Sequence, residues 1–158
     1  MFDAIDRQIL RILREDGRAA HTFIARQVGL SAPAIGERVR KLEQAGVILG
    51  YQAVLNPAAI GLGISAFVAI APQPRSSVAA LVERLMELPE LEELHGIAGE
   101  YGYMAKVRVQ STQELDAFLD RLWLLEGVER TQTTIILRTN LERPMQLPFD
   151  NPNSVAPS

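Results

Sequence analysis

The sequence has no cysteine among its 158 residues. This absence excludes disulfide bonds, thiolate zinc sites and cysteine nucleophiles. No run of 18 apolar residues occurs, and Met1 leads into the acidic Asp3 and Asp6 rather than into a basic and then an apolar segment. Neither a membrane span nor a signal peptide is therefore predicted. We expect a soluble protein of the cytoplasm that has no membrane partner.

Residues that carry catalysis or bind metals are also scarce. The two histidines are far apart, and we expect His21 near the start of a helix and His95 in a strand. No paired-histidine metal spacing, Gly-x-Ser-x-Gly motif or phosphate loop occurs. Glu90, Glu92 and Glu93 form an acidic cluster, but a solvated turn and strand edge explains it better than a cation site. We expect no catalytic residue, no metal site and no cofactor.

Charge is distributed unevenly along the chain. The composition is 47% hydrophobic and 22% charged, close to the average of soluble globular proteins, so global disorder is not expected. The net charge is −3, yet residues 1–46 carry eight Arg and Lys against six Asp and Glu, whereas residues 47–158 carry eight against thirteen. The first part is therefore the one that we expect to face an anion.

Three helices are predicted in the first 46 residues. Asp3 and Asp6 form an acidic helix start, and the apolar residues that follow recur at helical spacing until Gly17. A short second helix is predicted from Thr22 to Val28. Ser31 is a good N-cap for the third helix, which we expect to end at Ala45-Gly46.

The spacing of small and apolar residues predicts a helix-turn-helix. Ala25 provides the small contact between helices, Gly29 the turn, and Ile35, Val39 and Leu42 the buried stripe of the third helix. The amino-terminal end of that helix would enter the major groove. The residues expected to contact DNA are Arg18, Ser31, Ala34, Glu37, Arg38, Arg40 and Lys41.

Arg38 is the leading candidate for a base or phosphate contact, because a guanidinium pairs bidentately with guanine or clamps a phosphate. Arg18, Arg40 and Lys41 fit phosphates. Glu37 could accept from a cytosine amine, but we favour an intrahelical pair with Lys41. The alternative for the whole set is a basic helical face that is simply solvated.

The pattern of the sequence after residue 46 predicts an extended linker followed by an α+β domain. Val47–Leu55 is rich in apolar and β-forming residues, and Asn56-Pro57 interrupts it. Periodicity then predicts the order βαββαβ, a ferredoxin-like arrangement. The predicted segments are strand 64–71, helix 76–88, strands 91–98 and 101–109, helix 112–125 and strand 128–137.

The predicted organisation has four parts. Residues 1–50 form a winged-helix-like helix-turn-helix domain, 51–63 a linker strand and hinge, 64–139 the ferredoxin-like domain, and 140–158 a loosely held tail with several prolines.

The combined pattern resembles the leucine-responsive regulatory protein (Lrp/AsnC) family over about residues 2–138. The resemblance rests on the following segments: Asp3-Ala4-Ile5-Asp6, Asp16-Gly17-Arg18, Val28-Gly29-Leu30-Ser31, Arg38-Val39, Gly46-Val47-Ile48, Gly50-Tyr51, Gly99-Glu100-Tyr101-Gly102-Tyr103, Gly127-Val128 and Thr131–Leu137. It implies a transcription regulator that binds double-stranded DNA. It also implies a homodimer whose linker strands pair across a twofold axis and which assembles into octamers or similar rings.

The resemblance further implies a small-molecule effector, such as an amino acid, bound at the interface between dimers. By analogy the effector region comprises Gly99, Glu100, Tyr101, Gly102, Tyr103, Thr131 and Thr133. Position 102 holds glycine where the family often has aspartate, and Glu100 could supply the missing charge. The alternative for the two glycines is a tight turn that needs positive φ, and for the tyrosines and threonines ordinary strand packing.

A different class of function stays open at this point. The second half alone is compatible with a ferredoxin-like small-molecule-binding or protein-interaction module without DNA regulation, because fold does not assign function. The helix-turn-helix residues argue against that alternative.

Overall fold

The computed structural model describes residues 2–150, which cluster into two compact units. The first unit comprises the described residues up to Val54 and those from Leu141 onward, and the second spans Leu55–Asn140. In the part of the chain that is described, no helix combines the length and the apolar character that crossing a bilayer requires.

The first unit contains three helices. Helix α1 spans Ala4–Glu15, α2 spans His21–Val28 and α3 spans Ala32–Gln44. The capping box predicted at the start of α1 is present: the Asp3 side chain accepts from the Asp6 backbone N–H, and the Asp6 side chain accepts from the Asp3 backbone N–H. This reciprocal pair satisfies two backbone donors that the first turn leaves without helical partners.

One apolar cluster holds the three helices together. Its fully buried members are Ile9 of α1, Ile24 of α2 and Ile35 of α3. Ala25 is buried between them, and Gly29 has φ 74°, the left-handed conformation that glycine adopts without strain. Small residue, turn glycine and apolar stripe thus lie where the spacing predicted them.

The linker differs from the expectation of a strand. Within the described chain, the segment Val47–Leu55 has no strand pairing, although its backbone beyond the end of α3 is not helical. Leu49 and Val54 are each 94% exposed. A single extended segment has no neighbour with which to form ladder hydrogen bonds, so it becomes a strand only when a partner strand is supplied.

The second unit follows the predicted order βαββαβ. Its elements are β1 Ile64–Pro72, α4 Val78–Met86, β2 Leu91–Gly96, β3 Tyr103–Val109, α5 Thr112–Leu124 and β4 Val128–Ile135. A 3-10 turn at Ala58–Ile60 precedes them. The strands form one sheet in the order β2-β3-β1-β4, and all neighbouring pairs are antiparallel.

Both helices of this unit contribute to one core. Leu81 and Leu85 of α4 and Leu115, Phe118 and Leu122 of α5 are buried in a cluster with strand residues that include Val68, Ile70, Ala105 and Val107. The alternating burial of β3 has the period of two that is typical of a sheet with one covered face.

The end of the described chain differs from the expectation of a loosely held tail. Pro148–Asp150 forms a 3-10 turn whose side chains contact arginines of α1. The prolines favoured a loose segment, but the sequence alone did not reveal that α1 provides a charged surface for it. The remaining tail positions, 151–158, lie outside the described residues.

Candidate nucleic-acid interface and effector region

Helix α3 is anchored on one side and open on the other. Ile35, Val39 and Leu42 are buried, and Ser31 caps the helix by accepting from the Ala34 backbone N–H at 3.3 Å. Pro33 stands in the first turn, where its missing N–H breaks no helical hydrogen bond. The first turn of α3 can therefore approach a ligand with its exposed Ser31 and half-buried Ala34.

The outer face of α3 carries a small charge network. Arg40 binds Glu37 through two hydrogen bonds of 2.6 and 3.1 Å, and the Lys41 ammonium lies 3.8 Å from the same carboxylate. The Arg40 hydrogen bonds hold the pKa of Glu37 below its usual range. Glu37 is thus paired within its own helix, and Arg40 is its nearer partner rather than Lys41. All three side chains are exposed, and Lys41 is 69% exposed.

Arg38 occupies a different environment from the one that the sequence suggested. Its Nη1 donates to Asp3 Oδ2 and to Asp6 Oδ1, both at 2.7 Å, and its side chain is only 31% exposed. The Asp3 and Asp6 hydrogen bonds raise the pKa of Arg38 further. The guanidinium links α3 to the first turn of α1, which argues against its role as the leading base-reading residue.

The expected DNA-contacting residues therefore form one group with two exceptions. Ser31, Ala34, Glu37, Arg40 and Lys41 share the accessible side of α3. Arg18 is exposed in the connection between α1 and α2, where its backbone N–H donates to Asp16. Arg38 faces α1.

The effector region begins in the turn between β2 and β3. Ile97 donates to the Gly102 carbonyl at 2.9 Å, and Gly99 has φ 133°, a conformation that favours glycine. Gly102 needs no positive φ. Instead, a Cβ atom at this position would stand 3.1 Å from Cδ of Pro72 and 3.3 Å from its Cγ. Crowding by Pro72, rather than backbone conformation, thus explains the glycine at position 102.

Arg130 connects this turn to β4. Its Nη1 lies 2.7 Å from Glu100 Oε1, and its guanidinium carbon lies 4.8 Å from the centroid of the Tyr101 ring. Tyr101 lies in the turn and not in β3, whereas the sequence predicted that the strand begins at residue 101. Glu100 is charge-compensated here, and a cationic group of a ligand would compete with Arg130 for it.

The other nominated residues lie on the sheet face that the helices cover. Tyr103 and Thr131 are both opposite Ile70 in the strand register, and Thr133 is opposite Val68. Tyr103 packs against the core of the second unit. Trp123 of α5 donates from Nε1 to Thr131 Oγ1 at 2.6 Å. Gly99 to Tyr103 and the last strand therefore come close together through Arg130 and through this row of the sheet.

The acidic cluster after α4 is neutralised by basic side chains. Arg121 binds Glu90, Arg108 binds Glu92, and Lys106 lies 3.4 Å from Glu93. A hydrogen bond with His95 is the main cause that lowers the pKa of Glu93. Among the described residues no group of three or more His, Cys, Asp or Glu side chains could hold a metal ion. His21 begins α2 and His95 lies in β2, as predicted.

Sequence reasoning missed the partners that fix these side chains. Arg130 and Trp123 were not selected, because only the strand pairing and the packing of α5 bring them to residues distant in sequence. The pairing of Arg38 with Asp3 and Asp6 had a partial signal, since both acids were recognised as a helix start. The arginines at positions 7, 11 and 14 were also not selected, although their spacing by four and three residues places them on one face of α1.

Comparisons with known proteins agree with the two-part organisation. The AsnC-type helix-turn-helix domain matches residues 2–43, and the Lrp/AsnC ligand binding domain matches residues 65–146. The transcriptional regulator LrpA of Mycobacterium tuberculosis is 44% identical over 137 residues, which cover 87% of this chain and 91% of that protein. The regulator FL11 of Pyrococcus abyssi is 36% identical over 140 residues, covering 89% and 92%.

Solved structures give the same result. The feast or famine regulatory protein of M. tuberculosis complexed with L-methionine is 41% identical and has a TM-score of 0.87, with 92% of this chain and 99% of that chain covered. AsnC of E. coli has a TM-score of 0.85 at 27% identity, with 92% and 98% covered. Both the order of elements and their arrangement within each unit are therefore shared with these regulators.

Proposed function

Because the chain belongs to the Lrp/AsnC family of helix-turn-helix transcription regulators, we propose that it recognises specific sites in double-stranded DNA through α3. The observation that carries this proposal is the geometry of that helix. Its apolar stripe is buried against α1 and α2, while its first turn and its basic outer face stay accessible. A recognition helix needs this division, because its amino-terminal residues must reach base edges.

We assign the contacts by chemistry. Ser31 and Ala34 stand at the end of α3 that would enter the groove, and Arg18, Arg40 and Lys41 provide cations for phosphates. Glu37 moderates the charge of its two basic neighbours. Arg38 would act as a positioning residue that holds α3 against α1, because its guanidinium is engaged by Asp3 and Asp6.

An amino acid is the effector that we propose for the second unit. The relative from M. tuberculosis and a regulator from Neisseria meningitidis are both described in complex with L-methionine. The proposed region is the turn Gly99–Tyr103 with Thr131 and Thr133 of β4. Glu100 would receive the ammonium group in place of Arg130, because position 102 offers no carboxylate.

We also propose that the chain acts as a homodimer that assembles further into an octamer or a similar ring. The exposed apolar side chains of the unpaired segment Val47–Leu55 support strand pairing between two copies. The effector would then lie at an interface between dimers. DNA as the partner implies a place in the cytoplasm, and we propose no catalytic activity.

Selection of genomic fragments by the purified protein tests the proposal. It is performed with and without a panel of free amino acids that includes L-methionine. Enrichment of a defined sequence, with occupancy that changes when one amino acid is added, is the expected result. Enrichment without any response would overturn the effector alone. If no fragment is enriched at low salt, the second unit acts as a binding module without DNA regulation.

A further inference from the structure

Helix α1 carries three arginines on the side opposite its buried residues. Arg7, Arg11 and Arg14 are spaced by four and three residues, so they share one face of the helix. Ile9, the buried residue of α1, lies on the other side. We call Arg7, Arg11 and Arg14 the arginine face. The apolar cluster of the three helices does not include these side chains, and the proposed contacts of α3 do not use them.

The arginine face is occupied by the chain's own carboxy-terminal segment. The guanidinium carbons of Arg7 and Arg11 lie 5.6 and 5.4 Å from the centroid of the Phe149 ring. Arg11 also donates to the Phe149 carbonyl at 3.3 Å and binds the Asp150 carboxylate through Nε. Arg14 donates to the other oxygen of Asp150 at 3.2 Å.

The arginine face contacts both the ring of Phe149 and the carboxylate of Asp150, so the interaction is more than a single ion pair. Two guanidiniums lie within cation–π distance of the Phe149 ring, and the two carboxylate oxygens of Asp150 are each bound by a different arginine. The Asp150 backbone N–H donates to the Leu147 carbonyl at 2.9 Å, which orders the turn that presents both side chains. A segment with an aromatic residue followed by an acid is therefore the ligand that this face fits.

We propose that the arginine face is a docking site for the segment Pro148–Asp150 of the same chain, and that docking gives the DNA-binding unit a second chain connection. The chain leaves the first unit at Val54 and returns to it at Leu141. With Phe149 and Asp150 bound, two stretches of chain connect the helices of the first unit to residues 55–140, the linker at one end and the segment from Leu141 at the other. Because the contacts involve partly exposed charges, rising salt weakens them.

Spin labelling tests the docking directly in the full chain. The absence of cysteine allows one nitroxide to be attached through Met145→Cys, a position in the same segment that is 82% exposed. We expect a motionally restricted spectrum at low salt, and a mobile one in the Arg11→Ala, Arg14→Ala variant and in Asp150→Asn. Arg26→Ala removes an exposed arginine of α2 and is the matched control, which should stay restricted.

Two results would overturn the proposal. The first is a label that is mobile in the otherwise unchanged chain at low salt, or a label whose mobility is the same with and without the arginine substitutions. The second comes from refolding labelled Arg11→Ala, Arg14→Ala chains with an excess of unlabelled chains that have both arginines. Docking within one chain predicts that the label stays mobile, whereas recovered restriction would mean that the segment docks on a second copy. Intact far-ultraviolet circular dichroism of each variant verifies that the helices are formed.

Discussion

Adding a single methyl group at position 102 is expected to destabilise the second unit. In Gly102→Ala the new Cβ would stand 3.1 Å from Cδ of Pro72 and 3.3 Å from Cγ. Carbon atoms pack best at about 3.5–4.0 Å. The pyrrolidine ring is tied to the backbone and cannot rotate away, so the chain itself must shift at the end of β1.

The expected magnitude follows from two opposing effects. Extra atoms in a filled space cost about 1–3 kcal/mol. Replacing glycine by alanine also stabilises the folded state by about 0.4–1 kcal/mol, because the unfolded chain has less conformational entropy to lose on folding. The net loss in the free energy of unfolding should be about 1 kcal/mol, which for a domain of 60–100 residues lowers Tm by about 4–8 °C.

Urea unfolding followed by tryptophan fluorescence measures this loss. Trp123 is the only tryptophan of the chain and belongs to the second unit, so its signal reports on that unit. Gly63→Ala is the matched control, because Gly63 lacks a positive φ and an added Cβ would meet nothing within 4 Å. Pro72→Ala in the Gly102→Ala background should recover most of the loss. Equal stability of Gly102→Ala and Gly63→Ala would refute the steric explanation.

Three further predictions follow from the contacts. The pKa of Asp3 is lowered, first by the hydrogen bond from the Asp6 backbone N–H and then by Arg38. The ionised Asp3 carboxylate therefore stabilises the folded state fully above its usual pKa of 3.8, and this stabilisation is lost as the pH falls through the lowered pKa. Thermal unfolding between about pH 5 and 2 should therefore be less pH-dependent in Asp3→Asn, and an unchanged dependence would contradict the pairing. Glu37→Gln should release its basic neighbours and raise DNA affinity several-fold at moderate salt, whereas equal affinity would show that they do not contact phosphates. Phe118→Ala should cost about 3–5 kcal/mol in urea unfolding, and a loss below about 1 kcal/mol would mean that its site collapses without a cavity.

The sequence predicted elements wherever local signals and burial agreed. The capping acids, the turn at Gly29 and the apolar stripe of α3 are local features, and each is found where its spacing placed it. The order βαββαβ was likewise readable, since strands and helices differ in the period of their apolar residues. Boundaries shifted by about two residues at both ends of α4, at the start of β3 and at the ends of β2 and β4, where side-chain periodicity is weakest.

The candidate site was less predictable, because its side chains are fixed by partners distant in sequence. Arg38 lies on the third helix and was expected to face DNA, but the crossing of α1 brings two carboxylates to it. For Gly102 the sequence suggested a turn conformation, and only the tertiary structure shows that the Pro72 ring occupies the space where a Cβ would stand. Pairing of Glu100 with Arg130 also depends on the tertiary structure alone.

The most direct test of DNA binding by α3 is the salt dependence of affinity for a selected DNA site. Each phosphate contact releases condensed counterions, so log K falls linearly with log salt concentration. We expect Lys41→Ala to reduce the magnitude of that slope by about 1, because one phosphate contact is lost. The control Arg138→Ala, which removes an exposed arginine of the second unit, should leave the slope unchanged. Equal slopes for Lys41→Ala and the unaltered protein would contradict the proposed contact of the basic face of α3 with DNA.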